Sequence, residues 1–119
     1  MPIKISVVIA TRNRADYLRK ALESLAHQTL DPIDYEIIVV DNGSQDETRR
    51  VVEKYDTSAT LRYIFEPIIG LSRARNAGWK NAQGEIIALI DDDAIANAEW
   101  LERYVLAFEE FGENVGLMG

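Results

Sequence analysis

Residues 86–93 read Ile-Ile-Ala-Leu-Ile-Asp-Asp-Asp, an apolar run that leads directly into consecutive carboxylates. An uninterrupted apolar run bounded by polar residues is typical of a strand covered on both faces in a parallel sheet. Like charges at this spacing repel, so Asp91, Asp92 and Asp93 are favourable where a cation lies among them, and oxygen ligands suit Mg²⁺ or Mn²⁺. The alternative is a solvated acidic turn at the end of a strand.

The same arrangement of a β-branched apolar run followed by polar residues occurs earlier in the chain. Thr11 and Asn13 follow the first such run, and Asp41 follows the second. Short connections with helical periodicity separate the runs, which predicts an α/β fold. We expect a Rossmann-like, mainly parallel sheet in the order 3-2-1-4 with helices on both faces. The predicted strands are residues 3–10, 35–40, 61–65, 86–90 and the start of a fifth at 115–118.

Local signals predict where the helices begin. Asn13 can cap the first helix, and Ser44 with Glu47 has the spacing of a capping box before the second. Gly70 is predicted to open the third helix, with Ser72 as its candidate N-cap, and the helix runs to about Gln83. It carries small residues that would let it pack close to a sheet. The small residues are Ala74, Gly78 and Ala82, and the fourth helix is predicted between Asn97 and Gly112.

Composition limits the class of protein. The chain has 119 residues, 47% of them hydrophobic and 28% charged, as expected for one globular domain. A formal net charge of −7 argues against a general nucleic-acid binder, so an anionic substrate would need a local cation. Cysteine is absent, which excludes disulfides and thiolate metal sites and fits a cytoplasmic setting. No apolar run approaches the length of a membrane span.

The polar residues at the predicted strand ends indicate one binding site. In a parallel α/β sheet, ligands bind beyond the carboxyl ends of the strands, where the strand order reverses. Arg73 and Arg75 fall in the first turn of the third helix if Ser72 is its cap, where cations oppose the helix dipole by roughly 0.3–1 kcal/mol each. A bound anion such as a diphosphate would remove that conflict. A solvated pair of arginines is the alternative.

Other sites are excluded or disfavoured by the sequence. No G-x-G-x-x-G follows the first strand, and no G-x-x-x-x-G-K-[ST] loop occurs. His27 is the only histidine and is expected to cap the end of its helix, so a histidine metal site or a Ser-His triad is disfavoured. Trp79 and Trp100 are expected to be packing residues rather than platforms for a sugar.

Four segments together resemble the motifs of inverting family 2 glycosyltransferases. They occur in the family's order and spacing and cover nearly the whole chain, so the resemblance is specific. The segments are residues 6–14 (SVVIATRNR), 39–48 (VVDNGSQDET), 70–78 (GLSRARNAG) and 88–93 (ALIDDD).

The resemblance implies a GT-A fold that binds a nucleotide-diphosphate sugar, most often UDP-linked. Thr11 would lie along the nucleobase and ribose, with Asn13 also on the nucleotide side. Asp41 would accept a hydrogen bond from the base, and Arg75 falls where the family often has a nucleotide contact. The family would transfer the sugar to an acceptor hydroxyl with inversion, as a hexosyltransferase.

The aspartate triplet corresponds to the family's D-x-D element. The resemblance implies that Asp91 or Asp92 faces the ribose, and that Asp93, with Asp91, reaches a Mn²⁺ or Mg²⁺ ion that bridges the phosphates. The family's catalytic base lies many tens of residues beyond this element. Residues 1–119 are therefore expected to be the nucleotide-diphospho-sugar-binding domain, cut before the acceptor-binding half, with the base beyond Gly119 and little activity alone.

The sequence also permits other functions and leaves the binding partners partly open. A receiver-like signalling domain shares the length, the strand–helix alternation and an acidic metal site, and a non-catalytic nucleotide-binding module is a further alternative. The saccharide, lipid or protein acceptor is not specified by the sequence. An exposed sheet edge predicts self-association. The expected location is cytoplasmic, with membrane association of the full-length parent protein as an alternative. No membrane span is predicted within this chain.

Overall fold

The computed structural model describes residues 2–111. The predicted fifth strand and the helix end at Gly112 lie outside these residues. A short 3₁₀ turn at Pro32–Asp34 precedes the second strand. The other elements are β1 (Ile5–Thr11), α1 (Ala15–Ala26), β2 (Tyr35–Asp41), α2 (Thr48–Lys54), β3 (Thr60–Phe65), α3 (Leu71–Asn81), β4 (Ile86–Asp91) and α4 (Trp100–Phe111).

The four strands form a parallel sheet in the order β3-β2-β1-β4, which confirms the predicted order. The register pairs Thr11 with Asp41 and Ala10 with Asp91, so the carboxyl ends of β1, β2 and β4 lie at one rim. A receiver-type sheet has the order 2-1-3-4-5, with β3 beside β1. Here β3 is at the edge and β4 lies beside β1, so the receiver alternative is wrong.

Helices cover both faces of the sheet, as predicted. Residues at alternate positions of β1, such as Val7 and Ile9, pack with the buried faces of α1, α2 and α4. Val8, on the opposite face, packs with Ala74 of α3. Both faces of the central strands are therefore covered, which explains why their sequences are continuously apolar rather than alternating. No helix within residues 2–111 is long and apolar enough to cross a membrane.

Helix α3 packs against the sheet at very short range because of its small residues. A Cβ atom added at Gly78 would lie 2.4 Å from Cγ1 of Val8 and 3.1 Å from Cγ2 of Val40. Ala74 on the same face is buried. The predicted role of these small residues is confirmed, although the helix ends at Asn81, with Ala82 as its C-cap, rather than near Gln83.

A buried polar cluster joins the amino-terminal half of the sheet to the end of α3. Glu36 is fully buried and accepts hydrogen bonds from Ser6 Oγ at 2.6 Å, Gln83 N at 2.7 Å and Arg62 Nε at 3.0 Å. Gly84 N donates to Ser6 Oγ at 2.8 Å. A buried carboxylate is tolerated only when it is paired and hydrogen-bonded in this way. The cluster fixes the connection from α3 into β4.

The predicted helix caps at Asn13 and Ser44 are wrong. Neither α1 nor α2 has a side-chain cap from the residue preceding it. Asp46 instead accepts hydrogen bonds from the first backbone N–H of each helix, Ala15 N at 3.1 Å and Thr48 N at 3.0 Å. Asp46 lies 31 positions from Ala15 in the chain, so local spacing does not reveal this contact.

Candidate functional site

A cleft opens at the rim where β1, β2 and β4 end. It has a volume of about 440 Å³ and lies between the ends of β1 and β4 and the start of α3. We call it the strand-end cleft, and it lies at the strand ends, where the sequence predicts a binding site. It is lined by Ala10, Thr11, Arg12, Arg14, Asn42, Ile69, Gly70, Leu71, Asp91, Asp92 and Asp93.

Asp92 is the buried member of the aspartate triplet. It is 9% exposed, its Oδ2 accepts a hydrogen bond from Thr11 Oγ1 at 2.8 Å, and its Oδ1 lies 3.2 Å from Arg14 Nε. Burial raises the pKa of Asp92 above its ordinary value. The hydrogen bond from Thr11 and the charge of Arg14 oppose that rise, while the neighbouring carboxylates add to it. Both oxygens of Asp92 are thus engaged by side chains that follow β1.

Asp91 and Asp93 are more exposed and each lies near an arginine. Their side chains are 73% and 51% exposed. Arg75 Nη2 lies 3.6 Å from Asp91 Oδ1, and Arg14 Nη2 lies 3.2 Å from Asp93 Oδ2. Two guanidinium groups therefore partly compensate the triplet's charge. The role of Arg14 was not predicted, although the residue stands in the first of the quoted motifs.

Asp41 ends β2 beside Thr11 but points into the protein. It is 2% exposed, its Oδ1 accepts from Ser44 N at 2.9 Å, and its Oδ2 accepts from the hydroxyl of Tyr63 at 2.6 Å. Burial and the hydrogen bond to Asp41 raise the pKa of Tyr63 far above its ordinary value, so this hydroxyl stays protonated and donating. Nothing in the local sequence pointed to Tyr63 as the partner.

Asn13 joins two loops and is not among the residues that line the strand-end cleft. Its backbone has a φ of 54°, in the left-handed region that asparagine tolerates better than most residues. Its N–H donates to Ser44 Oγ at 2.8 Å, and its Oδ1 accepts from Gln45 N at 2.6 Å. The loop after β1 is thereby fastened to the loop after β2.

Asn42 holds the wall of the cleft that leads into α3. Its Nδ2 donates to the carbonyls of Glu66 at 3.0 Å and Ile68 at 2.9 Å, and its Oδ1 accepts from Gly70 N at 2.9 Å. Its side-chain role depends on a loop more than twenty residues away and has no local signal.

Helix α3 opens at Gly70 as predicted, but its N-cap is not Ser72. The helix begins at Leu71 after Gly70, so Ser72 lies inside the helix and its prediction as the N-cap is wrong. Arg73 is in the first turn, whereas Arg75 is one turn further on and lies near Asp91. The backbone of Gly70 is fixed by Asn42 across the cleft, which sets the helix start independently of the Ser72 hydroxyl.

The predictions for His27, Trp100 and Trp79 have different outcomes. His27 ends α1, and its Nδ1 lies 2.9 Å from the carbonyl of Glu23, which confirms it as a helix-end residue. Trp100 is partly buried and makes an edge-to-face contact with Tyr104, with 5.3 Å between ring centroids, so it is a packing residue as predicted. Trp79 is 54% exposed, so its prediction as a packing residue is wrong.

The carboxylates at the rim suit a hard divalent cation that also binds phosphate. Mg²⁺ sites in nucleotide enzymes commonly use one or two carboxylates together with substrate phosphates. Asp91 and Asp93 present exposed oxygens of that kind, whereas Asp92 is engaged by Thr11 and Arg14. Within residues 2–111 no group of three or more metal-ligating side chains is arranged to hold an ion unaided.

A parallel sheet in the order 3-2-1-4 with a polar cleft at the strand ends defines an α/β domain of the nucleotide-binding class. The sequence matches Glycosyl transferase family 2 over residues 6–117, and the chain belongs to this family. The parallel strand order 3-2-1-4 and the structural similarity to solved glycosyltransferases confirm the predicted GT-A architecture.

Relatives and solved structures agree with this assignment. Validoxylamine A glucosyltransferase of Streptomyces hygroscopicus subsp. limoneus is 36% identical over 105 residues, which cover 87% of this chain and 23% of that protein. The structure of S. aureus TarS 1–349 in complex with UDP is 33% identical with a TM-score of 0.85, covering 91% of this chain and 32% of that one. Mannosyltransferase PcManGT from Pyrobaculum calidifontis, in complex with GDP-Man and Mn²⁺, is 26% identical with a TM-score of 0.80, covering 91% and 34%.

Proposed function

We propose that residues 1–119 form the donor-binding portion of an inverting glycosyltransferase of the hexosyltransferase class. The donor is a nucleotide-diphosphate sugar, UDP-linked by preference, and its sugar passes to an acceptor hydroxyl. The strand-end cleft carries this proposal, because it brings Thr11 and the aspartate triplet together at the start of α3. The chain spans about a quarter to a third of the three proteins compared, so the complete reaction is proposed for a longer protein.

Residues at and beside the strand ends receive roles in donor binding, although Asn13, Asp41 and Arg75 are not among those that line the cleft itself. Thr11 and Asn13 lie on the nucleoside side, and Asp41 accepts from the base through a lone pair that Tyr63 and Ser44 leave free. Asp91 or Asp92 faces the ribose. Support comes from the complex of TarS with UDP, a structure closely similar to this chain.

The diphosphate meets the start of α3 and a divalent cation. Gly70 and Leu71 line the cleft at the amino-terminal end of an 11-residue helix, where backbone N–H groups favour an anion. Arg75, one turn into this helix, adds positive charge. Asp93 and Asp91 would hold Mn²⁺ or Mg²⁺, which as a Lewis acid would stabilise the charge that develops on the leaving nucleoside diphosphate.

Binding of UDP in the presence and absence of Mn²⁺ tests the proposal. Titration calorimetry should detect UDP binding that requires Mn²⁺, is lost in EDTA and is weaker for GDP. Asp93→Asn should reduce the affinity by roughly tenfold, equivalent to about 1.4 kcal/mol. Asp56→Asn is the matched control, because Asp56 is an exposed aspartate on the connection into β3, at the other end of the sheet.

Two results would contradict the proposal. Wild-type protein that binds no UDP with Mn²⁺ present would remove the donor site. Equal affinities for the Asp93→Asn and Asp56→Asn variants would show that the aspartate triplet takes no part in donor binding.

The acceptor half of the reaction is assigned to sequence beyond residue 119, including the base that deprotonates the acceptor hydroxyl. Residues 1–119 should therefore bind donor without transferring its sugar. Incubation with UDP-linked sugars and a panel of saccharide acceptors should release no UDP above the rate without protein. Release of UDP together with formation of a glycoside would place a base within this chain and overturn the assignment.

Self-association is proposed through β4. Within residues 2–111 this strand pairs only with β1, so among these residues its outer backbone edge has no strand partner. A groove beside it is lined by Trp79, Ile87 and Leu89 together with Ser72, Arg75, Asn76 and Lys80. A cytoplasmic location, drawn from the lack of cysteine, stays a prediction.

A further inference from the structure

Arg14 bridges two members of the aspartate triplet. Its Nε lies 3.2 Å from Asp92 Oδ1, and its Nη2 lies 3.2 Å from Asp93 Oδ2. The guanidinium carbon lies 4.6 Å from the centre of the Tyr17 ring, so the aromatic face supports the same position. The Arg14 guanidinium thus contacts both Asp92, which the proposed function places on the ribose side, and Asp93, which it assigns to the metal ion.

The two contacts of Arg14 differ in strength because their surroundings differ. The Asp92 side chain is 12% exposed and also accepts from Thr11, so this contact is shielded from water. The Asp93 side chain is 51% exposed, and water and salt screen that contact. Asp93 is therefore the carboxylate that Arg14 releases more readily, while Asp92 stays in place.

We propose that Arg14 is the built-in counter-ion of the aspartate triplet, holding Asp92 in position and exchanging Asp93 with the divalent cation when the donor binds. This inference rests on the proposed function of the strand-end cleft. It makes Arg14 a positioning residue, because it acts through the two carboxylates.

The exchange couples metal binding to diphosphate binding. A cation that binds alone must displace the guanidinium from Asp93, which leaves Arg14 paired with Asp92 only and adds net positive charge to the cleft. A nucleoside diphosphate supplies the anion that compensates this charge, so each ligand strengthens the binding of the other. Arg14 thereby weakens the binding of the metal ion alone and favours the joint binding of metal ion and nucleoside diphosphate.

Mn²⁺ binding followed by electron paramagnetic resonance tests the inference without measuring activity. Arg14→Gln should bind Mn²⁺ alone more tightly than wild type, by about two- to fivefold, the range of one exposed ion pair. UDP should increase the Mn²⁺ affinity of this variant less than that of wild type. Arg14→Lys keeps a charge but cannot bridge both carboxylates as a planar guanidinium does, so it should give intermediate values.

Arg50→Gln is the matched control for the loss of one positive charge. Arg50 is exposed on α2, does not line the strand-end cleft, and within residues 2–111 makes no ion pair with a carboxylate. It should change Mn²⁺ affinity by less than Arg14→Gln and leave the coupling to UDP unchanged. Circular dichroism checks that each variant is folded, and the Arg14→Lys comparison carries the test if Arg14→Gln does not fold.

The possible results separate this inference from the proposed function. Wild-type protein that binds no UDP with Mn²⁺ overturns both. Wild-type binding together with equal Mn²⁺ affinities and equal coupling for the Arg14 and Arg50 variants overturns only the role of Arg14. Weaker Mn²⁺ binding by Arg14→Gln alone would also overturn it, because a competing cation cannot strengthen metal binding.

Discussion

The carboxylate of Asp41 is oriented by protein donors before any ligand arrives. Ser44 N holds one oxygen and the Tyr63 hydroxyl holds the other, at 2.9 and 2.6 Å. Each carboxylate oxygen can accept more than one hydrogen bond, so capacity for a further donor remains. An oriented carboxylate loses less freedom on binding than a mobile one, which favours specific recognition.

Replacement of Tyr63 by phenylalanine tests this orientation at the residue scale. The variant keeps the ring but removes one donor to a buried charge, so the free energy of unfolding should fall by about 1–3 kcal/mol. Urea denaturation measures the change. Tyr17→Phe is the control, because Tyr17 is 53% exposed, and it should change stability by less than about 0.5 kcal/mol. Equal effects of the two variants would contradict the structural role of the Tyr63 hydroxyl.

The raised pKa of Tyr63 adds a pH dependence with a defined sign. Burial and the bond to Asp41 keep the hydroxyl protonated in the folded protein. An unfolded tyrosine loses its proton near its ordinary pKa of about 10. The contribution of Tyr63 is therefore complete below about pH 10 and decreases as the pH rises above it. Stability curves of wild type and Tyr63→Phe should converge in that alkaline range.

At the scale of elements, α1 and α2 begin at one shared carboxylate. Asp46→Ala removes the acceptor for Ala15 N and Thr48 N together, so the free energy of unfolding should fall by roughly 1–2 kcal/mol. Thermal or urea unfolding measures this. Glu47→Ala is the control, because Glu47 directly precedes α2 but makes no capping bond with its side chain. A loss for Glu47→Ala as large as that for Asp46→Ala would contradict the shared cap.

The pH dependence of the Asp46 contribution follows from its pKa. Partial burial acts to raise the pKa of Asp46, but the hydrogen bonds from Thr48 and Ala15 outweigh it and the pKa is lowered. A lowered pKa means that the stabilisation is complete above the unfolded value of about 3.9 and is lost as the pH falls through the folded value. The difference between wild type and Asp46→Ala should therefore shrink only below about pH 4.

The close approach of α3 to the sheet gives a second prediction at this scale. Gly78→Ala should destabilise the protein by about 1–3 kcal/mol, because the added methyl group would overlap a Val8 methyl group in a packed layer. Asn76→Ala on the exposed side of the same helix is the control. Alanine has the higher helix propensity in both cases. Stabilisation by both substitutions, measured by urea unfolding, would contradict the tight packing at Gly78.

At the scale of the whole molecule, the exposed edge of β4 should control association. Ile87→Lys places a charge in the groove beside that edge and should convert oligomers to monomers. Sedimentation velocity across a range of concentrations measures the state, and circular dichroism checks the fold. Ile33→Lys, at an exposed position in the turn before β2, should leave association unchanged. Wild-type protein that is monomeric at every concentration would remove the proposal.

Strands and sheet order were predictable because their determinants are local or follow general rules. Continuous apolar runs identified β1, β2 and β4, and the polar residues after them identified the rim on which the cleft lies. The helix starts were mispredicted at Asn13, Ser44 and Ser72, since the actual contacts come from Asp46 and Asn42 in neighbouring loops. Spacing within one segment carries no information about a hydrogen-bond acceptor supplied by another.

The sequence alone determined which residues reach the rim and that the site is acidic, because strand periodicity and parallel order depend on the apolar pattern. Tertiary structure decided which partners each of those groups has and how far each is exposed. Asp92 and Asp41 turn inward to Thr11 and Tyr63, whereas Asp91 and Asp93 stay exposed beside arginines from two different helix starts. The physical reason is that desolvation and pairing depend on which side chains the fold brings within hydrogen-bonding distance.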